Sequence, residues 1–265
     1  MPAAARLLVA VFLACTLAPA HAARTVFVEE MTWTELRDRV AQGSTTVIVP
    51  VGGTEQNGPH MSLGKHNARV RALAERIAIA LGNALVAPVI AYVPEGGLAP
   101  PTAHMRYPGT VTVPTAAFEA TLESVAQSFR LHGFRDIVLI GDHGGTQASL
   151  LAVARKLDRA WAKSPARVHA IVEYYRAAET GFRDTLHARG YRDGEIGTHA
   201  GLADTSLALA VDPSIVRMDR LAAPPSATEG TSGDPRRASA ELGTLGVNAI
   251  VADSVEAIRA ATRHR

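Results

Sequence analysis

Two short runs of β-branched and aliphatic residues, Thr45 to Val51 (TTVIVPV) and Asp136 to Ile140 (DIVLI), each stop at glycine and continue into polar residues. A continuous apolar run of this length, bounded by glycine, reads as a buried strand feeding a loop. Helical patterns lie between and after these runs. Val70, Leu73, Ile77, Ala80 and Leu81 recur at helical spacing behind Asn67, which is placed to act as an N-cap. Ala84 to Val93 reads as a second strand, and Pro94 to Gly109 as a Gly/Pro-rich loop containing His104. A helix is predicted from Pro114 to about Leu131, with Gly133 just past its end. Another follows from about Gln147, then a fourth strand over Arg167 to Tyr174, then a helix over His199 to Val211. Ala222 to Asp234 is rich in Pro, Gly and Ser, and a last helical stretch reaches the C-terminus. Strands alternating with helices predict an α/β fold with a mainly parallel sheet.

The first 22 residues are set apart from this pattern. A short start with one positive charge (Arg6), an apolar run from Leu7 to Leu17 and the small-x-small site Ala20-His21-Ala22 together read as a cleaved export signal. The run is too short for a membrane span, which takes about 20 apolar residues. Cys15 raises a lipid anchor as the weaker alternative, because Phe12-Leu13-Ala14 fits a lipid-attachment box poorly. Cleavage leaves residues 23–265 as one domain in an extracytoplasmic compartment, the periplasm, with no cysteine. Disulfides and thiolate ligands are thereby excluded, so any metal must be held by His, Asp, Glu or Asn. Net charge is +2, with no Lys/Arg block of the kind that binds nucleic acid.

In parallel α/β folds ligands collect beyond the carboxyl ends of strands. Two polar clusters fall there: Glu55 to His66 after the first strand, and Asp142-His143 after the third. His60, His66, His104, His143 and His199 all lie in polar segments punctuated by Gly or Pro. Each alone reads as an ordinary loop or core histidine. Together, beside Glu55, Asp142 and Asp204, they offer the imidazole and carboxylate ligands that zinc, manganese or iron takes. Other templates fail: there is no Walker A run, no GxGxxG turn and no GxSxG elbow.

The run Val51-Gly52-Gly53-Thr54-Glu55-Gln56-Asn57-Gly58-Pro59-His60 resembles the signature of the creatininase (creatinine amidohydrolase) family. Three further segments resemble its later motifs in the same order: Tyr107-Pro108-Gly109-Thr110, then Gly141-Asp142-His143-Gly144-Gly145, then His199-Ala200-Gly201-Leu202-Ala203-Asp204-Thr205-Ser206. Gly230 to Pro235 is similar to a late loop of that family. The resemblance implies a three-layer α/β/α fold, a homo-oligomer, and metal-dependent hydrolysis of a C–N bond in a small amide or cyclic amide. It also implies that Glu55 and His143 ligate a first metal, that Asn57 stands at a second-metal ligand, that His66 stands where an aspartate bridges both, and that His199 moves protons.

This chain departs from the pattern at the second metal. Asn57 replaces an imidazole, His66 replaces the bridging carboxylate, Gly145 stands where creatininase has a glutamate, and Asp204 is one methylene shorter than the usual glutamate. The expectation is therefore one divalent metal per chain, zinc first with manganese or iron as alternatives, held by Glu55, His66 and His143 and more weakly by Asn57. A metal-bound water would attack the C–N bond, with His199 as general acid/base and Asp142 or Asp204 orienting a histidine. The alternative is a non-catalytic periplasmic metal- or ligand-binding protein on the same fold. The resemblance also disfavours creatinine itself as substrate, because creatinine-hydrolysing members use tryptophans near the active site, whereas Trp33 and Trp161 lie far from His199 in sequence. Tyr174, Tyr175 or His104 is left to wall the pocket.

Overall fold

The computed structural model describes residues 25–263, apart from 222 and 224–226. The expected signal segment, Cys15 included, lies outside the described residues. Thr32 opens the first helix with a capping box: its hydroxyl accepts from Glu35 N, and Glu35 returns to the Thr32 amide. The elements in order are α1 (Trp33–Ala41), β1 (Thr46–Val51), α2 (Lys65–Leu81), β2 (Ala84–Val86), α3 (Thr115–Leu131), β3 (Asp136–Gly141), α4 (Gln147–Ala160) and β4 (Arg167–Ala170). Four short helical pieces and a long one follow. They are α5 (Glu173–Arg176), which runs through a π-turn at Ala177–Gly181 into α6 (Phe182–His187), then α7 (Asp193–Ile196), α8 (Leu202–Val211) and α9 (Ala240–Thr262).

The four strands form one parallel sheet in the order β2-β1-β3-β4. Alternate strand residues feed two separate cores. Ile48, Val86, Val138 and Ile140 pack against α2, α8 and α9 on one face. Val47, Val49, Leu85, Ile137 and Leu139 pack against α3 and α4 on the other. That two-sided burial is why β1 and β3 carry no polar alternation, and it makes the three-layer α/β/α arrangement.

Several boundaries differ from the sequence reading. The second strand stops at Val86, because Pro88 has no N–H to donate and ends the ladder, leaving isolated bridges at Ile90 and Val93. The fourth strand ends at Ala170, so Tyr174 lies in α5. Asn67 is not an N-cap: α2 begins at Lys65, and the Asn67 side chain instead accepts from Gly53 N (3.0 Å) and donates to Thr54 Oγ1 (3.1 Å). His199 lies outside α8, paired through a β-bridge with Ser232 and followed by Ala200 at φ 54°. No helix among the described residues is long and apolar enough to cross a membrane.

Candidate metal centre

β1 and β3 run in register to their ends, Val51 opposite Gly141, so the Gly52–His66 loop and the Asp142–Gly145 loop leave the sheet side by side. Glu55 is carried into their shared space with its carboxylate fully buried. Glu55 Oε2 lies 3.1 Å from His143 Nε2 and 3.2 Å from His104 Nε2. Glu55 Oε1 lies 2.8 Å from His66 Nε2 and 3.8 Å from His199 Nδ1. A second carboxylate enters from the 94–109 loop: Glu95 Oε2 lies 3.2 Å from His143 Nε2, and neither Glu95 oxygen has a hydrogen-bond partner. One donor atom from each of Glu55, Glu95, His104 and His143 falls within 4.8 Å of the other three. Two imidazoles and two carboxylates at that separation suit zinc, manganese or iron(II).

The structure brings Glu55, His66, His143 and His199 together as expected, but their partners assign them different surroundings. His66 sits between two carboxylates, Nε2 on Glu55 and Nδ1 on Asp142 Oδ2 at 2.5 Å. Asp142 therefore does orient a histidine. Asp204 makes no hydrogen bond to one; its carboxylate is taken by Lys65 Nζ (3.0 Å), Arg69 Nη1 (2.9 Å) and Ala200 N (3.0 Å). Asn57 stands apart from the converging donors. Its amide donates to the Glu55 and Ser62 carbonyls (2.9 and 3.1 Å) and so braces the loop that carries Glu55. His60 is buried against Thr205 Oγ1 at 2.9 Å, away from the cluster. His104 does wall the pocket, with its Nδ1 2.9 Å from Gln56 Nε2, and Tyr175 lines it too; Tyr174 is buried and donates to Asp142 at 2.8 Å. The cleft over the cluster measures about 320 Å³.

Glu95 went unread because a single acid in Pro94-Glu95-Gly96-Gly97 resembles ordinary loop composition. Lys65 and Arg69 were also missed, although a signal existed. Both fall on the face of α2 that carries Val70, Leu73 and Ile77, and a charge on a buried face demands a partner.

Opposite environments act on the histidines. Burial pushes His60 and His199 down to about 4, and the Lys65 ammonium adds to the effect on both. Burial also opposes a charge on His143, but Glu55 and Glu95 outweigh it and lift that group to about 10. Glu95 itself is raised, chiefly by burial and further by Glu55, against the pull of His143. In the unfolded chain each histidine titrates near 6.5. Below that value the unfolded chain takes up protons at His60 and His199 that the folded protein refuses until about pH 4, so stability falls as pH is lowered through this window. Above it the folded protein keeps a His143 proton that the unfolded chain has lost, so stability falls again as pH rises toward 10. Metal-free protein is thus expected to melt highest near pH ~6.5. Melting curves in chelator from pH 4 to 10 check this, and a melting temperature still climbing at pH 9 contradicts it.

Fold and site define an α/β protein with a histidine–carboxylate cluster that could hold a divalent cation at the carboxyl ends of its strands. The profile of creatinine amidohydrolases matches residues 29–258, and the chain belongs to the creatininase family. It is similar to the creatinine amidohydrolase of Pseudomonas putida, 27% identical over 89% of this chain and 97% of that protein. It is 29% identical to the 3-dehydro-scyllo-inosose hydrolase of Thermotoga maritima, over 73% of this chain and 58% of the relative. It is 30% identical to the mycofactocin precursor peptide peptidase of Mycolicibacterium smegmatis, over 66% and 61%. Among solved structures, a manganese creatininase superposes with a TM-score of 0.74 at 28% identity, over 90% of this chain and 99% of that one. A mutant creatininase of Zn-Zn type gives 0.73 at 28% identity, over 90% and 98%.

Proposed function

We propose that this creatininase-family hydrolase is an exported enzyme that cleaves the C–N bond of a small amide or cyclic amide with one divalent cation per chain, held at the meeting point of Glu55 and His143. The observation that carries the reading is the convergence of imidazole and carboxylate donors on that point, floored by Glu55 and open to a cleft of small-molecule size. When bound, the cation supplies a Lewis acid and lowers the pKa of a water it holds. The chain does the rest. His199 Nε2 lies 2.9 Å from the Gln56 backbone carbonyl and 3.0 Å from the Gln56 side-chain amide; the tautomer that donates to the carbonyl carries its proton on Nε2 and has Nδ1 as the basic atom. That atom points toward Glu55 and is neutral at physiological pH, so it is set to accept a proton from the attacking water and return it to the leaving nitrogen. Asp204 supports it indirectly by anchoring the Ala200 amide next to it.

Export rests on the apolar start and Ala20-His21-Ala22, and it makes the substrate extracytoplasmic. A homo-oligomer belongs to the same proposal, by family resemblance. The test is to purify residues 23–265 without chelator, count metals by elemental analysis, and screen linear and cyclic amides and lactones with and without chelator. About one zinc, manganese or iron per chain, with hydrolysis lost in chelator and restored by metal, supports the reading. No metal after reconstitution and no hydrolysis overturns it in favour of a non-catalytic binding protein.

A further inference from the structure

We infer that Glu95 and His104, both carried by the 94–109 loop, are metal ligands of this chain, so that the cation is held by Glu55, Glu95, His104 and His143 while His66 positions Glu55 from outside. The inference rests on the proposal that a cation binds here at all, and it concerns which residues hold it.

Glu95 carries the argument. Its carboxylate is fully buried and neither oxygen has a hydrogen-bond partner, an arrangement that costs several kcal/mol unless a positive charge compensates it. Among the described residues, the one side-chain nitrogen within ion-pair distance of it is His143 Nε2 at 3.2 Å, which is shared with Glu55 Oε2 at 3.1 Å. A single imidazole proton cannot satisfy two carboxylates, whereas one divalent cation neutralises both.

The backbone is built to deliver Glu95 to this point. Its amide donates to Thr112 Oγ1 at 2.9 Å, which fixes the loop where it enters the site. On the other side Gly53 makes room, since a Cβ there would lie 2.8 Å from Glu95 Oε1. His104 is aimed in the same way: Gln56 Nε2 holds its Nδ1, which turns Nε2 to within 3.2 Å of Glu55 Oε2.

His66 is committed elsewhere. Both its nitrogens are engaged by carboxylates, and Asp142 is itself held by two Arg69 nitrogens (2.8 and 2.9 Å) and by the Tyr174 hydroxyl (2.8 Å). Ligating a cation through His66 Nε2 would break its contact with Glu55 Oε1, and no His66 nitrogen is among the four donors that converge. Where it stands, it fixes Glu55 Oε1 and leaves Oε2 for the cation.

The test uses the whole mature chain and Zn²⁺ alone as probe, with affinities read by competition against a chromophoric chelator and content by elemental analysis. Loss of a group that only orients a ligand weakens binding about 10–100-fold. His66→Gln is expected to fall in that range. Glu95→Gln and His104→Ala are expected to weaken Zn²⁺ by more than about 100-fold and to emerge from purification without metal. Melting curves in chelator guard against a trivial folding defect: Glu95→Gln removes a buried charge that only shares the His143 contact with Glu55, so its metal-free form is expected to be at least as stable as the metal-free wild type. Wild-type affinity in Glu95→Gln and His104→Ala, with His66→Gln the most damaged, overturns the inference and leaves the metal-dependent function standing. A wild-type chain that takes up no Zn²⁺ overturns both.

Discussion

Alanine at His199 is expected to lower turnover of an amide identified by the screen about 10²–10⁴-fold while metal content stays at the wild-type level. The separation follows from geometry. His199 approaches Glu55 only to 3.8 Å through Nδ1, is not among the four donors that converge, and stacks at 4.7 Å against His104 on the cleft side. Its loss therefore removes a proton carrier without removing a ligand. The chain also keeps this imidazole neutral by burial and by the nearby Lys65 ammonium, which suits a base but not a charged anchor. Because protonation of the free side chain sets in only near pH 4, the acid limb of the pH–rate profile should lie well below 6.5, where an unperturbed histidine would put it. Alanine at His143 should behave in the opposite way, with metal and activity lost together. If His199→Ala also arrives without metal, His199 is a ligand and the proton carrier must be sought elsewhere. If His199→Ala keeps full turnover, the proton does not pass through it.

What could be read from the chain without coordinates was what neighbouring residues decide among themselves. β1 and β3 are legible because strands buried on both faces leave continuous apolar runs, and Glu55 and His143 are legible because they follow those runs at once. The limits appear wherever the deciding partner is distant in sequence. Asn67 has the chemistry of a cap, yet Gly53 and Thr54 claim its side chain and α2 starts two residues earlier. That shift puts His66 inside a helix, facing Asp142, which lies 76 positions away. Glu95 and His104 reach Glu55 and His143 only because the loop that carries them is stitched to Thr112 through the Glu95 amide and to Gln56 through His104, by hydrogen bonds that leave no periodic trace. Sequence chemistry offers Asp142 and Asp204 alike as the partner of a histidine; only the fold separates them, because two cations from α2 take Asp204.

Those two cations set the largest stability effect expected of a single substitution. Arg69→Met should destabilise the protein by about 3–5 kcal/mol, the usual cost of leaving a buried charge without its partner. Arg69 is buried and spans the site: Nε and Nη2 bind Asp142, and Nη1 binds Asp204 Oδ1 at 2.9 Å. Against the penalty of burial, Arg69 holds Asp142 ionised, and Lys65 with Arg69 holds Asp204 so, both well below the usual carboxylate range. Methionine fills a similar volume and keeps the apolar stem, so what is lost is the charge and its hydrogen bonds rather than packing. Asp204 retains Lys65, but Asp142 is left with His66 and the Tyr174 hydroxyl alone. Asp142 without Arg69 is held less firmly and so orients His66 less firmly against Glu55, and a moderate loss of Zn²⁺ affinity should accompany the loss of stability. Guanidinium denaturation of wild type and variant measures the first effect. The exposed Lys156–Glu123 pair supplies the contrast, because Lys156→Met should cost no more than about 1 kcal/mol. If Arg69→Met costs no more than Lys156→Met, the buried cations contribute little to holding the site together, and the orientation of His66 must come from the packing of α2 alone.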